Sequence, residues 1–211
     1  TKKSIHSYDA LNINLTKSFD LRYGENPDQQ ASFYTDLTSS CFNQLSGKKL
    51  SYNNFFDMES AISIVNQFNK MCCCIVKHAN PCGFAIGDSL IDAFERAVSC
   101  DPVSYFGGIV AFNRKIDKRI AKKLIEPFLE CIICPAIEKE ALEVLKLKKN
   151  LRVIVYNNDY NFFNRSTRSV MGGYLSQSNS QIKDNIDDWN IVTKLKPSKK
   201  NIHAMKLAWK I

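Results

Sequence analysis

The stretch Met71-Cys72-Cys73-Cys74-Ile75-Val76-Lys77-His78-Ala79-Asn80-Pro81-Cys82-Gly83 decides how the rest of the chain is read. Its apolar run ends in Lys77 and His78, and the turn formers Asn80, Pro81 and Gly83 follow at once. A short apolar run bounded by turn signals reads as a buried strand, here over 71–76. A strand that ends in a cation and an imidazole carries polar chemistry to the edge of its sheet. In open α/β sheets ligands sit at the carboxyl edge, so that edge is expected here.

Working outward, strand and helix signals alternate. Met58, Ala61, Ile62, Val65 and Phe68 recur at helical spacing and predict a helix over 57–70, with Asp57 as its N-cap. Ser89 caps a helix to about Ser99, which Asp101-Pro102 stops. Tyr105-Phe106-Gly107-Gly108 leads into a strand over 109–112, and Asp117 caps a helix to about Ile125. Strands are expected over 131–136, 151–156 and 170–177, with Gly172-Gly173 as a bulge, and a further one near Ile191. Helices are expected over 138–148 and from Ser198 to Ile211. Ala31 to Tyr34 reads as a short strand, and 21–30 and 47–54 read as polar loops. Residues 1–20 read as a linker or lead-in. Such alternation predicts an α/β fold with a parallel or mixed sheet covered by helices.

The composition suits a soluble globular chain: 211 residues, 45% hydrophobic and 24% charged. That length allows one large domain or two small ones. No apolar stretch approaches the roughly 20 residues of a membrane-spanning helix, and the N-terminus has no apolar signal region. The chain opens on Thr1 rather than Met and so reads as a processed or excised piece. The net charge of +8 is spread, with clusters at Lys146 to Lys149 and Lys194 to Lys200 that read as solvated faces. No basic stripe interleaved with aromatics points to nucleic acid.

There are eight cysteines: Cys41, Cys72, Cys73, Cys74, Cys82, Cys100, Cys131 and Cys134. Reduced thiols in the cytoplasm are expected in the absence of an export signal. Cys131 and Cys134 have CxxC spacing and invite a zinc site with His78 and Cys82. A second CxxC is missing, however, and the pair sits in an apolar run. The zinc-deaminase pattern fails too, because His78 precedes Ala79-Asn80 and Pro81-Cys82 precedes Gly83-Phe84. No metal is expected.

Six segments in order carry a resemblance: Leu-Arg-Tyr-Gly-Glu-Asn-Pro at 21–27, Gly-Lys-Lys-Leu-Ser-Tyr-Asn-Asn at 47–54, Ile-Val-Lys-His-Ala-Asn-Pro-Cys-Gly at 75–83, Asp-Pro-Val-Ser-Tyr-Phe-Gly-Gly-Ile at 101–109, Lys-Lys-Asn-Leu-Arg at 148–152 and Gly-Gly-Tyr-Leu-Ser-Gln at 172–177. Over 18–211 the chain resembles the AICAR transformylase domain of the bifunctional purine-biosynthesis (PurH) family. The resemblance implies formyl transfer from 10-formyltetrahydrofolate, as co-substrate, to the 5-amino group of the ribonucleotide AICAR. It implies a three-layer αβα, cytidine-deaminase-like half-domain over 21–197, without zinc, and a helix over 198–211 leading towards a second half. An IMP cyclohydrolase domain precedes this one in the family, and the active site lies at a homodimer interface. Two departures stand out: Asp28 replaces the family's usual His, and Ser104-Tyr105-Phe106 replaces Ser-Ala-Phe.

By the same resemblance Lys77 and His78 are the catalytic residues, Arg22 and Tyr23 bind the nucleotide, Gly107 offers backbone to the base, and Glu130 accepts a hydrogen bond from substrate. The chemistry fits these residue types. An imidazole titrates near neutral pH and suits a general base. A fixed cation suits an oxyanion or a leaving nitrogen, and the sequence leaves the roles of Lys77 and His78 exchangeable because it fixes no geometry. A non-catalytic nucleotide-binding or assembly module that keeps the half-fold is the alternative. A fragment of the domain is not expected to turn over alone.

Overall fold

The computed structural model describes residues 10–36, 41–157, 165–178 and 188–211. Residues 1–9 of the expected lead-in lie outside this set. The fold is mixed α/β, with a six-stranded mixed sheet and five helices among the described residues.

The chain forms β1 (Thr16–Asp20), β2 (Ser32–Thr35), β3 (Phe42–Ser46), α1 (Tyr52–Val65), β4 (Cys72–Lys77), β5 (Asn80–Ile86), α2 (Leu90–Cys100), β6 (Ile109–Phe112), α3 (Lys118–Leu124), β7 (Cys131–Cys134), α4 (Lys139–Leu145), β8 (Arg152–Tyr156), β9 (Arg165–Val170), β10 (Gly173–Ser178) and α5 (Lys199–Trp209). The main sheet runs β3-β8-β7-β6-β4-β5. Strands β6, β7 and β8 are parallel, and β3, β4 and β5 pair antiparallel to their neighbours.

Alternation in the strands divides the core. Cys73 and Ile75 face the side covered by α2, α3 and α4, with Phe94, Ile120 and Leu145. Cys72, Cys74 and Val76 face α1, with Met58, Ala61 and Val65. The three consecutive cysteines are therefore small core hydrophobes, all fully buried. Four phenylalanines from β1, β2, β3 and α1 extend the second cluster, with the rings of Phe33 and Phe55 stacked at 4.7 Å.

Several elements depart from expectation. Helix α1 starts at Tyr52, not Asp57. Ser51 forms a capping box with Asn54, so the polar Tyr52-Asn53-Asn54 run is a helix start rather than loop. Phe68 lies beyond the helix and packs on Phe84. The turn formers after Lys77 open a strand, β5, on which Pro81 is tolerated because β5 is the sheet edge. Part of the lead-in, Thr16–Asp20, is a strand paired with β2. The 170–177 segment belongs to a hairpin that turns at Met171-Gly172, not to one bulged strand. Among the described residues around Ile191, from 188 onward, there is no strand. The helices capped by Ser89, Asp117 and Ser198 form as expected.

Candidate active site

The sheet registers place three of the expected residues, Lys77, Gly107 and Glu130, along one edge. Val76 pairs with Ile109, Ile109 with Cys131, and Cys131 with Arg152. This transverse row sets the C-terminal end of β4 beside the N-terminal ends of β6, β7 and β8. Lys77, Gly107-Gly108, Glu130 and Leu151 follow the same edge. The carboxyl-edge expectation is thus corrected. Because β4 runs antiparallel to β6, its last residues emerge at the amino edge of the parallel strands.

Lys77 is half-buried, and its Nζ donates to the Phe106 carbonyl at 2.8 Å. That bond ties the end of β4 to the loop before β6. Gly107 in this loop has φ +70°, a conformation that favours glycine, and a Cβ there would stand 3.2 Å from the Phe128 ring. Its N–H donates to the Phe128 carbonyl at 2.9 Å, so the carbonyl is the backbone group it can present.

Glu130 accepts from Arg152 Nη1 at 2.6 Å. Arg152 is almost wholly buried and also donates to the Lys49 carbonyl through Nε and Nη2. Its charge is matched by one carboxylate, and its Nε and Nη2 by a backbone carbonyl, as burial requires. One oxygen of Glu130 is therefore engaged within the protein. Arg152 stands in the quoted 148–152 segment, where its buried role was not expected. No pattern in the sequence distinguishes it from the solvated lysines beside it.

The Arg22-Tyr23 loop is pinned to the same region. Arg22 N–H donates to Leu50 O at 2.8 Å, and Tyr52 N–H donates to Tyr23 O at 3.1 Å. The Arg22 guanidinium carbon sits 5.3 Å from the centre of the Tyr23 ring, within cation–π range. Arg22 is exposed and forms no ion pair among the described residues, with Asp28 or any other acid.

His78 points elsewhere. It is exposed and lines an open cleft of about 810 Å³, together with Glu25, Tyr52, Asn53, Phe56, Asp57 and residues Thr167 to Ser169 of β9. Asn53 Nδ2 donates to Glu25 O at 3.1 Å, which links the cleft wall to the Arg22 loop. The His78 ring makes no hydrogen bond among the described residues. Arg22, Lys77, Gly107 and Glu130 are not part of this wall. Lys77 and His78 are thus sequence neighbours of which His78 lines this cleft, while Lys77 reaches the Phe106 carbonyl.

Asp57, read from sequence as a helix cap, instead reaches the turn after Lys77, where Oδ1 accepts from Ala79 N–H at 2.6 Å. Burial raises its carboxyl above the ordinary range, against the lowering effect of that bond and of nearby His78. Its mid-helix position gave no sign of this contact.

Among the described residues no group of three or more His, Cys, Asp or Glu could hold a metal ion. The CxxC pair fails for a geometric reason: alternate strand positions send Cys131 to one face of the sheet and Cys134 to the other. No described helix is long and apolar enough to cross a membrane. The lysines at 146–149 and 194–200 are solvent-exposed, as expected.

Fold and site together define a mixed α/β domain whose polar chemistry gathers where β4 meets the starts of the parallel strands. The chain belongs to the AICARFT/IMPCHase bienzyme family, whose model matches residues 1–211. It is 47% identical over 210 residues to the bifunctional purine biosynthesis protein PurH of Petrotoga mobilis, covering 96% of this chain and 40% of that protein. The proteins of the same name from Bacillus cytotoxicus and Bacillus cereus are 46% identical over 211 residues, covering 97% of this chain and 41% of theirs. The chain therefore spans about two fifths of the length of the curated relatives it matches.

Proposed function

We propose that this chain is the first, deaminase-like αβα half of an AICAR transformylase domain in purine biosynthesis. Its site takes part in moving a formyl group from 10-formyltetrahydrofolate to the 5-amino group of AICAR. In this reading the amine nitrogen bonds to the formyl carbon while its proton passes to His78. The tetrahedral oxyanion then collapses, the bond to the folate nitrogen breaks, and that nitrogen takes up a proton. Lys77 supplies a fixed ammonium beside the reacting centre, for the oxyanion or the leaving nitrogen.

Arg22 and Tyr23 take the nucleotide, the Gly107 carbonyl faces the base, and the second oxygen of Glu130 remains for a substrate donor. The enzyme works as a cytoplasmic homodimer, and the folate requires residues beyond this chain.

One observation carries the reading: an imidazole whose ring makes no hydrogen bond among the described residues stands in the wall of a cleft that also holds Glu25, from the Arg22 loop. An NMR titration with AICAR tests it. The ring resonances of His78 should shift while those of His203, on α5, stay fixed. Unmoved His78 resonances at saturating nucleotide would remove the basis for the assignment.

A further inference from the structure

We propose that Asp57 and Ser60 are positioning residues for His78, holding the turn that presents its imidazole to the cleft. The inference rests on the proposed role of His78 as general base. Strands β4 and β5 are joined by only two residues, since Lys77 pairs with Asn80. Both of them, His78 at φ 54° and Ala79 at φ 60°, occupy the left-handed region. Residues with a Cβ avoid that region, and a two-residue hairpin with φ positive at both positions normally carries Asn or Gly. Neither is present here, so something outside the turn must hold it.

Helix α1 does so. Asp57 Oδ1 accepts from Ala79 N–H at 2.6 Å, and Ser60 Oγ donates to Ala79 O at 2.8 Å. Both backbone groups of Ala79 are thereby tied to side chains three positions apart on one helix face. The helix is a rigid reference, because Met58, Ala61, Ile62 and Val65 anchor it in the core and Ser51 caps it. Asn80 Nδ2 adds a bond to His78 O at 2.9 Å. The His78 ring has no hydrogen-bond partner of its own among the described residues, so the turn's backbone aims it.

Steady-state kinetics on the full-length enzyme that contains this chain test the proposal. Misplacing a catalytic group by about 1 Å can cost roughly 100-fold, so Asp57→Ala should lower kcat by about that factor with KM for the nucleotide within about threefold. Asp57→Asn keeps an acceptor oxygen and should recover most of the loss. Adding Ala79→Gly to Asp57→Ala relieves the left-handed strain and should recover about fivefold. An unchanged kcat in Asp57→Ala overturns the proposal. So does an Asp57→Asn enzyme as impaired as Asp57→Ala, which would assign the carboxylate to the substrate itself.

Amide hydrogen exchange on the same proteins separates this inference from the reading it rests on. Asp57→Ala should lose protection at Ala79 while Ile62 and Val65 keep theirs. An unprotected Ala79 in the wild type, or protection unchanged by the substitution, overturns the clamp whatever the activity. A wild-type enzyme without formyl transfer overturns the role of His78 and leaves the exchange result to decide the clamp.

Discussion

Glu130 Oε1 lies 2.6 Å from Arg152 Nη1, and the arginine side chain is only 1% exposed whereas the glutamate is 32% exposed. The pair bridges β8 and the residue before β7, at the edge where Lys77, Gly107 and Glu130 lie. Removing one partner of a buried pair leaves an uncompensated charge. Glu130→Ala should therefore destabilise by about 3 kcal/mol, the lower end for buried pairs because the carboxylate is partly solvated. Urea unfolding measures this. A change below about 0.5 kcal/mol would mean that the pair behaves as a surface ion pair.

Gly107 is the second structural point at this edge. Alanine there would adopt the left-handed region beside the Phe128 ring, at a cost of about 1–2 kcal/mol. A thermal melt of Gly107→Ala should show a lower Tm, by roughly 2–4 °C per kcal/mol for a chain of this size. An unchanged Tm would show that the loop relaxes freely.

The cysteines give a chemical test of the core. All eight are thiols. Burial pushes Cys72 and Cys134 up to about 12 and raises Cys73, Cys74 and Cys131 as well. The thiolate is the reactive form, so these five should resist iodoacetamide at about pH 8 in the native state. Exposed Cys100 should react first, with half-buried Cys41 and Cys82 behind it. Mass spectrometry of the native protein reads the order. Fast labelling within Cys72-Cys73-Cys74 would contradict the buried strand.

Much of this was legible in the sequence. The apolar run at 71–76 read as a buried strand, which forms as Cys72–Lys77, and Ser89 and Asp117 stood at the right spacing to cap α2 and α3. Other features depended on neighbours that no local pattern reveals. Pro81 signals a break unless its strand lies at a sheet edge, which is a property of the whole sheet. The direction of β4 relative to β6 decided which edge carries Lys77, and periodicity carries no direction. Arg152 looked like one more basic residue, and only the folded chain surrounds it with Glu130 and the Lys49 carbonyl.

Asp57 should leave a signature in the pH dependence of stability. Its carboxyl is raised chiefly by burial, so folding favours the protonated form. The contribution is fully present below the ordinary carboxylate value of about 3.9 and is lost as pH rises through the raised value. Asp57→Asn cannot ionise. Wild type should therefore lose stability relative to Asp57→Asn as pH rises above about 4 in paired urea melts. A difference that stays flat or grows in favour of wild type would reverse the sign.

The proposed role of His78 as general base is tested most directly by His78→Ala in a full-length enzyme that contains this chain, with turnover and AICAR affinity measured on the same preparation. General acid–base catalysis contributes about 100- to 10,000-fold, so turnover should fall by at least about 100-fold while nucleotide binding survives. Turnover within a few-fold of wild type, with AICAR bound normally, would contradict the account.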